Sequence, residues 1–226
     1  MSESKPTVTV VIPAYNEETV ISQTVAGARA LPGVIQVIVV DDGSTDKTAE
    51  TAAAAGAEVI RTGVNRGKGD ALKLGVKAAQ GEFLLLLDAD LGESAGEGEK
   101  LLLPVLVGEA DLCIGRFPVA QKKAGCGLVR TLAGTGIRLL TGLSIAAPLS
   151  GQRALSPKAL AALNCRFAPG FGVETAMIID LARKKMVIKE KPVRMTHRET
   201  GWDLKSCLHR ARQFWDVLKA VAGRRV

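Results

Sequence analysis

Through the first hundred residues, short runs of β-branched and aliphatic residues alternate with Ala- and Lys-rich stretches. Val8 to Ile12, Gln36 to Val40, Ala57 to Arg61 and Phe83 to Leu87 read as strands, with helices over Glu18 to Ala30, Thr45 to Ala55 and Asp70 to Ala79 between them. Pro13 ends the first strand, and Pro32 with Gly33 closes the first helix. The strands are apolar throughout, not at every second position. A strand apolar on both faces must be covered on both, so the pattern predicts an α/β fold with a mostly parallel central sheet flanked by helices.

After Asp90 the rhythm changes. LGESAGEGEK reads as a polar loop, followed by a short helix at Leu101 to Val107, a strand at Asp111 to Ile114, a charged, Gly-rich segment at 116–127 expected to be mobile, and a helix at Leu128 to Leu140. An SGQR segment at 150–153 precedes a helix at Glu174 to Lys184 and one or two edge strands within Val187 to Val193. From Asp203 to Ala222, Leu204, Cys207, Leu208, Ala211, Phe214, Trp215, Leu218 and Val221 share one helical stripe. No internal repeat and no linker divides the 226 residues, so a single domain is expected.

Composition narrows the partners. With 47% hydrophobic residues the chain can build a core without disulfide or metal staples, and with only 4% aromatics that core must be Val, Ile, Leu and Ala. A net charge of +7 favours an anionic partner: nucleic acid, a phospholipid surface, a nucleotide or a phosphorylated substrate. Scarce aromatics, and the lack of an RNP-like pair, a KH loop or a zinc knuckle, count against nucleic acid. Cys113, Cys126, Cys165 and Cys207 form no CxxC pair and are expected to be reduced and mostly buried. No window reaches the ~18 apolar residues of a membrane span. The start MSESKPTVTVVIP carries acid and proline and does not read as a signal peptide, so the expected location is the cytoplasm, with the inner membrane face as a peripheral option.

In a parallel sheet the ligand site lies beyond the carboxyl ends of the strands. Four such ends are polar here: Pro13 to Glu18, Asp41 to Asp46, Gly63 to Gly69 and Asp88 to Glu93. Asp88-Ala89-Asp90 follows an apolar strand, and two carboxylates at i and i+2 suit Mg²⁺ or Mn²⁺, although a DxD is equally a turn and cap. Asp41 and Asp42 make a poor diphosphate cradle and a good partner for ribose hydroxyls or a uracil-like imide. PAYNEE stands where a dinucleotide fold would carry GxGxxG, and Gly67-Lys68-Gly69 lacks the rest of a P-loop, yet Lys68 can still neutralise phosphate. His197 follows a strand-like KPVRMT, whereas His209 sits on the amphipathic helix. Leu204, Leu208, Phe214 and Trp215 suit core packing or, with Arg210, Arg212, Lys219, Arg224 and Arg225, an anionic membrane surface.

IPAYNEE at 12–18, VVDDGSTDKT at 39–48, NRGKGDAL at 65–72 and LLLDADL at 85–91 stand in an order that resembles the family 2 glycosyltransferases with a GT-A fold. The likeness continues through SGQRALSP at 150–157, FAPGFGVETAMIID at 167–180 and VRMTHRETG at 193–201. It implies a nucleotide-binding half at 1–91, an acceptor-side half at 92–201 and a C-terminal amphipathic helix at 202–226. The second half is most similar to the glucosyl-3-phosphoglycerate synthases, which implies transfer of glucose, with retention, from an NDP-sugar, UDP favoured, to a phosphorylated small acceptor. Under that likeness Asp90 and His197 hold Mg²⁺ or Mn²⁺ with help from Asp88. Pro13, Tyr15, Glu17, Asp41, Asp42, Gly67, Lys68 and Ala89 line the donor pocket, and Glu174 lies near the sugar. Ile114-Gly115-Arg116 and Ser150-Gly151-Gln152-Arg153 also resemble the polyprenyl-phosphate sugar transferases, which implies a lipid-phosphate acceptor. Arg116, Arg130, Thr131 and Arg153 are the expected acceptor contacts. Further options are a homodimer, peripheral membrane contact, and a non-catalytic nucleotide-sugar or nucleic-acid binder.

Overall fold

The computed structural model describes residues 5–117, 127–165, 167–168, 170–195 and 204–224; for residue 171 and for 204–212 only the backbone is described. In chain order the elements are β1 (Val8–Ala14), α1 (Ile21–Arg29), β2 (Val34–Asp41), α2 (Thr48–Ala54), β3 (Glu58–Arg61), α3 (Lys68–Ala78), β4 (Phe83–Leu86), α4 (Glu99–Leu106) and β5 (Leu112–Arg116). After them come α5 (Gly127–Thr141), β6 (Arg153–Leu155), α6 (Pro157–Leu163), α7 (Val173–Arg183), β7 (Ile188–Pro192) and α8 (Leu204–Ala222). Most of the 116–127 segment lies outside the described residues.

The strands form one seven-stranded sheet in the order β3-β2-β1-β4-β6-β5-β7, parallel except for β6. The reason for the unbroken apolar runs is visible in the core. Val10, Ile12, Val37, Val39, Leu85 and Leu87 pack toward α1 and α4, while Val11, Ile38, Val40, Leu84 and Leu86 pack toward the helices of the opposite face. Cys113 of β5 is fully buried, and burial pushes its thiol up to about 11.

Where expectation and structure differ, local hydrogen bonding accounts for it. α1 begins at Ile21 and not Glu18, because the N–H groups of Glu17 and Glu18 donate to Thr48 Oγ1 (2.8 Å) and Asp46 Oδ2 (3.3 Å). α2 begins at Thr48 and not Thr45, whose N–H donates to Asn16 Oδ1 (2.9 Å). The LGESAGEGEK segment is a 3-10 helix over Gly92–Gly98 packed on α1. Two elements have no counterpart in the sequence pattern. β6 is three residues long, too short for any period, and α6 is announced by Ser156, which caps it by accepting from the Ala159 N–H (3.1 Å), and by Pro157 at its first position.

α3 lies close on the sheet at Gly75, where a Cβ would stand 3.1 Å from Val40 Cγ2 and 3.3 Å from Val11 Cγ2. Gly75→Val is therefore expected to cost about 1–3 kcal/mol by overpacking, read as a lowered urea midpoint with an unchanged slope.

Candidate active site

The parallel strands β1, β2, β3 and β4 deliver Ala14, Asp41, Arg61 and Leu86 to one edge of the sheet. β6 runs the other way, so it starts at that edge. Its register pairs Arg153 with Leu86 on one side and Ile114 on the other, which sets Gly151 and Gln152 beside Asp88.

Lys68 is the first residue of α3, reached through Gly67 at φ 92°, a conformation that suits a residue without Cβ. Its ammonium donates to Asp88 Oδ1 (2.6 Å) and pairs with Glu174 Oε1 (2.9 Å) in the first turn of α7. The other Asp88 oxygen accepts from Gln152 Nε2 (2.9 Å), and Gln152 Oε1 accepts from Ser150 Oγ (3.3 Å). A Cβ at position 151 would lie 2.5 Å from Asp88 Oδ1, so glycine there leaves the carboxylate and the Lys68 ammonium in place. Burial pulls the Lys68 pKa down, but the charges and hydrogen bonds of Asp88 and Glu174 outweigh it and raise it above the ordinary lysine value. A cation at a helix N-terminus opposes the helix dipole, so those two carboxylates are what holds it there.

Arg153 is 1% exposed, and its guanidinium donates to three carbonyls: Ser150 (2.8 Å), Glu174 (2.8 Å) and Pro148 (3.2 Å). It braces the β6 entrance against α7 in place of the expected reach to an acceptor phosphate. Burial lowers its pKa to about 10, against the pull of Glu174 and Asp88, and it is charged at neutral pH.

The remaining loops are knitted to one another. Asp42, also buried, accepts from the N–H groups of Arg66 (2.9 Å) and Gly67 (2.7 Å) and from Thr62 Oγ1 (3.1 Å), so it shapes the loop that delivers Lys68. Asp41 Oδ1 accepts from Ser44 N–H (3.0 Å), and Asn16 N–H donates to Ser44 Oγ (2.9 Å). Pro13 and Glu17 are half-buried at the end of β1, and Tyr15 is exposed. Buried Thr24 of α1 donates to the Ala89 carbonyl (2.8 Å) and accepts from Gly92 N–H (2.8 Å), fixing the Asp88-Ala89-Asp90 turn. Asp90 lines an open cleft of about 460 Å³ together with Gln23, Glu93 and Ser94. All four offer oxygen donors, which fits a hard divalent cation that keeps several waters. Among the described residues no three His, Cys, Asp or Glu side chains converge as a metal cluster. His197 lies outside the described residues.

Arg116 ends β5 at the same sheet edge, and Arg130 and Thr131 stand in the first turn of α5; all three are exposed. Lys68, Asp88 and Glu174, which were 20 and 86 residues apart in sequence, thus converge on one point. Gln152, Thr24 and Asn16 were not picked out from sequence. Gln152 stood inside a noticed motif, but nothing in a spacing pattern marks a side chain that faces another residue's carboxylate.

Residues 9–127 match the family described as Glycosyl transferase family 2. The chain is 31% identical over 205 residues to the uncharacterized protein MJ1222 of Methanocaldococcus jannaschii, covering 87% of this chain and 84% of that one. It is 33% identical over 197 residues to glucosyl-3-phosphoglycerate synthase of Mycobacterium tuberculosis, covering 77% of this chain. The chain spans 60% of that synthase and 51% of the hexosyltransferase Agl6 of Haloferax volcanii. A crystal structure of the M. tuberculosis synthase with phosphoglyceric acid superposes with a TM-score of 0.81 at 30% identity, covering 97% of this chain and 80% of that one. Another, with Mn²⁺, UDP-glucose and phosphoglyceric acid, superposes at 0.78.

Replacing Lys68 with Met leaves Asp88 and Glu174 without their cation, at an expected loss of about 3 kcal/mol near neutral pH. Urea unfolding of the variant beside the parent measures the loss; an unchanged midpoint would separate the ammonium from the carboxylates energetically.

Proposed function

The chain belongs to glycosyl transferase family 2, and we propose that it transfers a hexosyl group, glucose in the first instance, from a UDP-sugar to a phosphorylated small acceptor of the 3-phosphoglycerate kind. The observation that carries this reading is Lys68, an ammonium at the N-terminus of an 11-residue helix, at the carboxyl edge of the sheet and hydrogen-bonded to the first Asp of a DxD. Helix N-terminus and cation act in the same direction on a diphosphate, whose charge grows as the glycosidic C–O bond breaks. The named ligands of the M. tuberculosis synthase structures supply the substrate classes.

Asp90, with Asp88 and His197, is the proposed holder of Mg²⁺ or Mn²⁺, which when bound neutralises the donor diphosphate and eases its departure. Lys68 would orient the diphosphate through its ammonium. In this reading Gln152 keeps Asp88 aligned, so that the carboxylate does not follow Lys68 when the ammonium turns to phosphate. Glu174, anchored through its carbonyl by Arg153, presents its carboxylate to sugar hydroxyls. Asp42 acts on the donor indirectly, by holding the Thr62–Gly67 loop in shape. Among the described residues, exposed Arg116 and Arg130 are cations available to an acceptor phosphate.

UDP release from UDP-glucose with Mn²⁺, with and without 3-phosphoglycerate, tests the reading. Acceptor-stimulated release is expected, and no turnover or binding across a panel of sugar nucleotides would sink it. Lys68→Ala should lower kcat/KM at least about a hundredfold. Asp90→Ala and His197→Ala should abolish metal-dependent donor binding, measured by calorimetry; either variant binding as the parent does would remove that residue from the site.

A further inference from the structure

The leucines on the outer face joining α5 and α8 have no part in this chemistry. On α5, Leu128, Thr131, Thr135 and Leu139 recur at i+3 and i+4 and are all exposed, Leu128 by 79% and Leu139 by 74%. On α8, Trp215 is 59% exposed and stands one turn before Leu218 and two before Ala222. The two helices meet closely at Gly136, where a Cβ would come 2.6 Å from Val221 Cγ2. Beside that contact runs an apolar groove of about 140 Å³, lined by Leu132, Leu139, Leu140, Leu218 and Val221 among others. An apolar patch of this kind on a soluble surface marks something that docks there.

Charge selects the occupant. Exposed Arg138 flanks this stripe of α5, and the helix has no acidic residue. Lys219 of α8 is exposed, Asp216 turns inward toward Gly170, and Asp180 is paired with Arg224. A second copy of a +7 chain would set this cationic face against its own like. An anionic bilayer satisfies both the leucines and the cations Arg138 and Lys219. Among the described residues no helix is long and apolar enough to cross a membrane, so contact would be from one side. We propose that the α5/α8 face is a peripheral docking surface for anionic lipid, with Leu128, Leu139 and Trp215 entering the headgroup boundary and Arg138 and Lys219 contacting phosphate. The proposal does not depend on which acceptor the enzyme uses.

Vesicle co-sedimentation of the full chain is the test, comparing phosphatidylcholine with phosphatidylcholine–phosphatidylglycerol mixtures. Binding to the mixture only, weakened by salt, is expected, and Leu128→Ser/Leu139→Ser/Trp215→Ser should lower the partition coefficient at least about tenfold. Arg138→Glu alone, on an exposed position that leaves the apolar contacts intact, should weaken binding in the same direction and guards against a misfolded triple variant. In a Trp202→Phe background, Trp215 emission should shift to the blue with anionic vesicles. No vesicle binding, binding that both sets of substitutions leave unchanged, or a dimer by light scattering that the triple variant abolishes without any vesicle affinity would each overturn the proposal.

Discussion

One ammonium holds the site together. Lys68 comes from the helix after β3, Asp88 from the end of β4 and Glu174 from a helix near the end of the chain, and they meet within 2.6 to 2.9 Å. Around that meeting point the other polar groups fall into place: Gln152 on the second Asp88 oxygen, Arg153 on the Glu174 carbonyl, and Asp42 on the loop that leads to Lys68. The lone antiparallel strand β6 makes this possible, because only a strand running against its neighbours can begin at the edge where the others end.

Such an arrangement is a poor way to gain stability. Desolvating an ion pair costs much of what the pairing returns, and well-packed apolar residues would serve a core as well or better. This fold has no shortage of them, with both faces of the sheet filled by Val, Ile and Leu. A lysine at the unfavourable end of a helix dipole, held in place by two carboxylates, is therefore poorly explained by stability, which is in keeping with the role proposed for it toward a diphosphate.

The sheet was legible because its rule is simple: four apolar runs separated by crossovers have few arrangements, and the strands at 8, 34, 58 and 83 appear where hydrophobicity put them. The strand ends carried the site for the same reason, since topology sends them all to one edge. Legibility failed where side chains capture backbone. Thr48 and Asp46 delay α1 and Asn16 delays α2, a competition that propensity does not register. Arg153 is the instructive case. An arginine in a loop motif reads as a surface phosphate ligand, yet three carbonyls surround it, and burial of that kind depends on where β6 lies, which three residues cannot announce.

A crystal structure of the protein with UDP and Mn²⁺ tests the account most directly. It predicts Lys68 Nζ within hydrogen-bonding distance of a diphosphate oxygen, Asp90 on the metal, and the Gln152–Asp88 bond kept. A nucleotide bound elsewhere, with Lys68 still closed on Asp88 and Glu174, would contradict it.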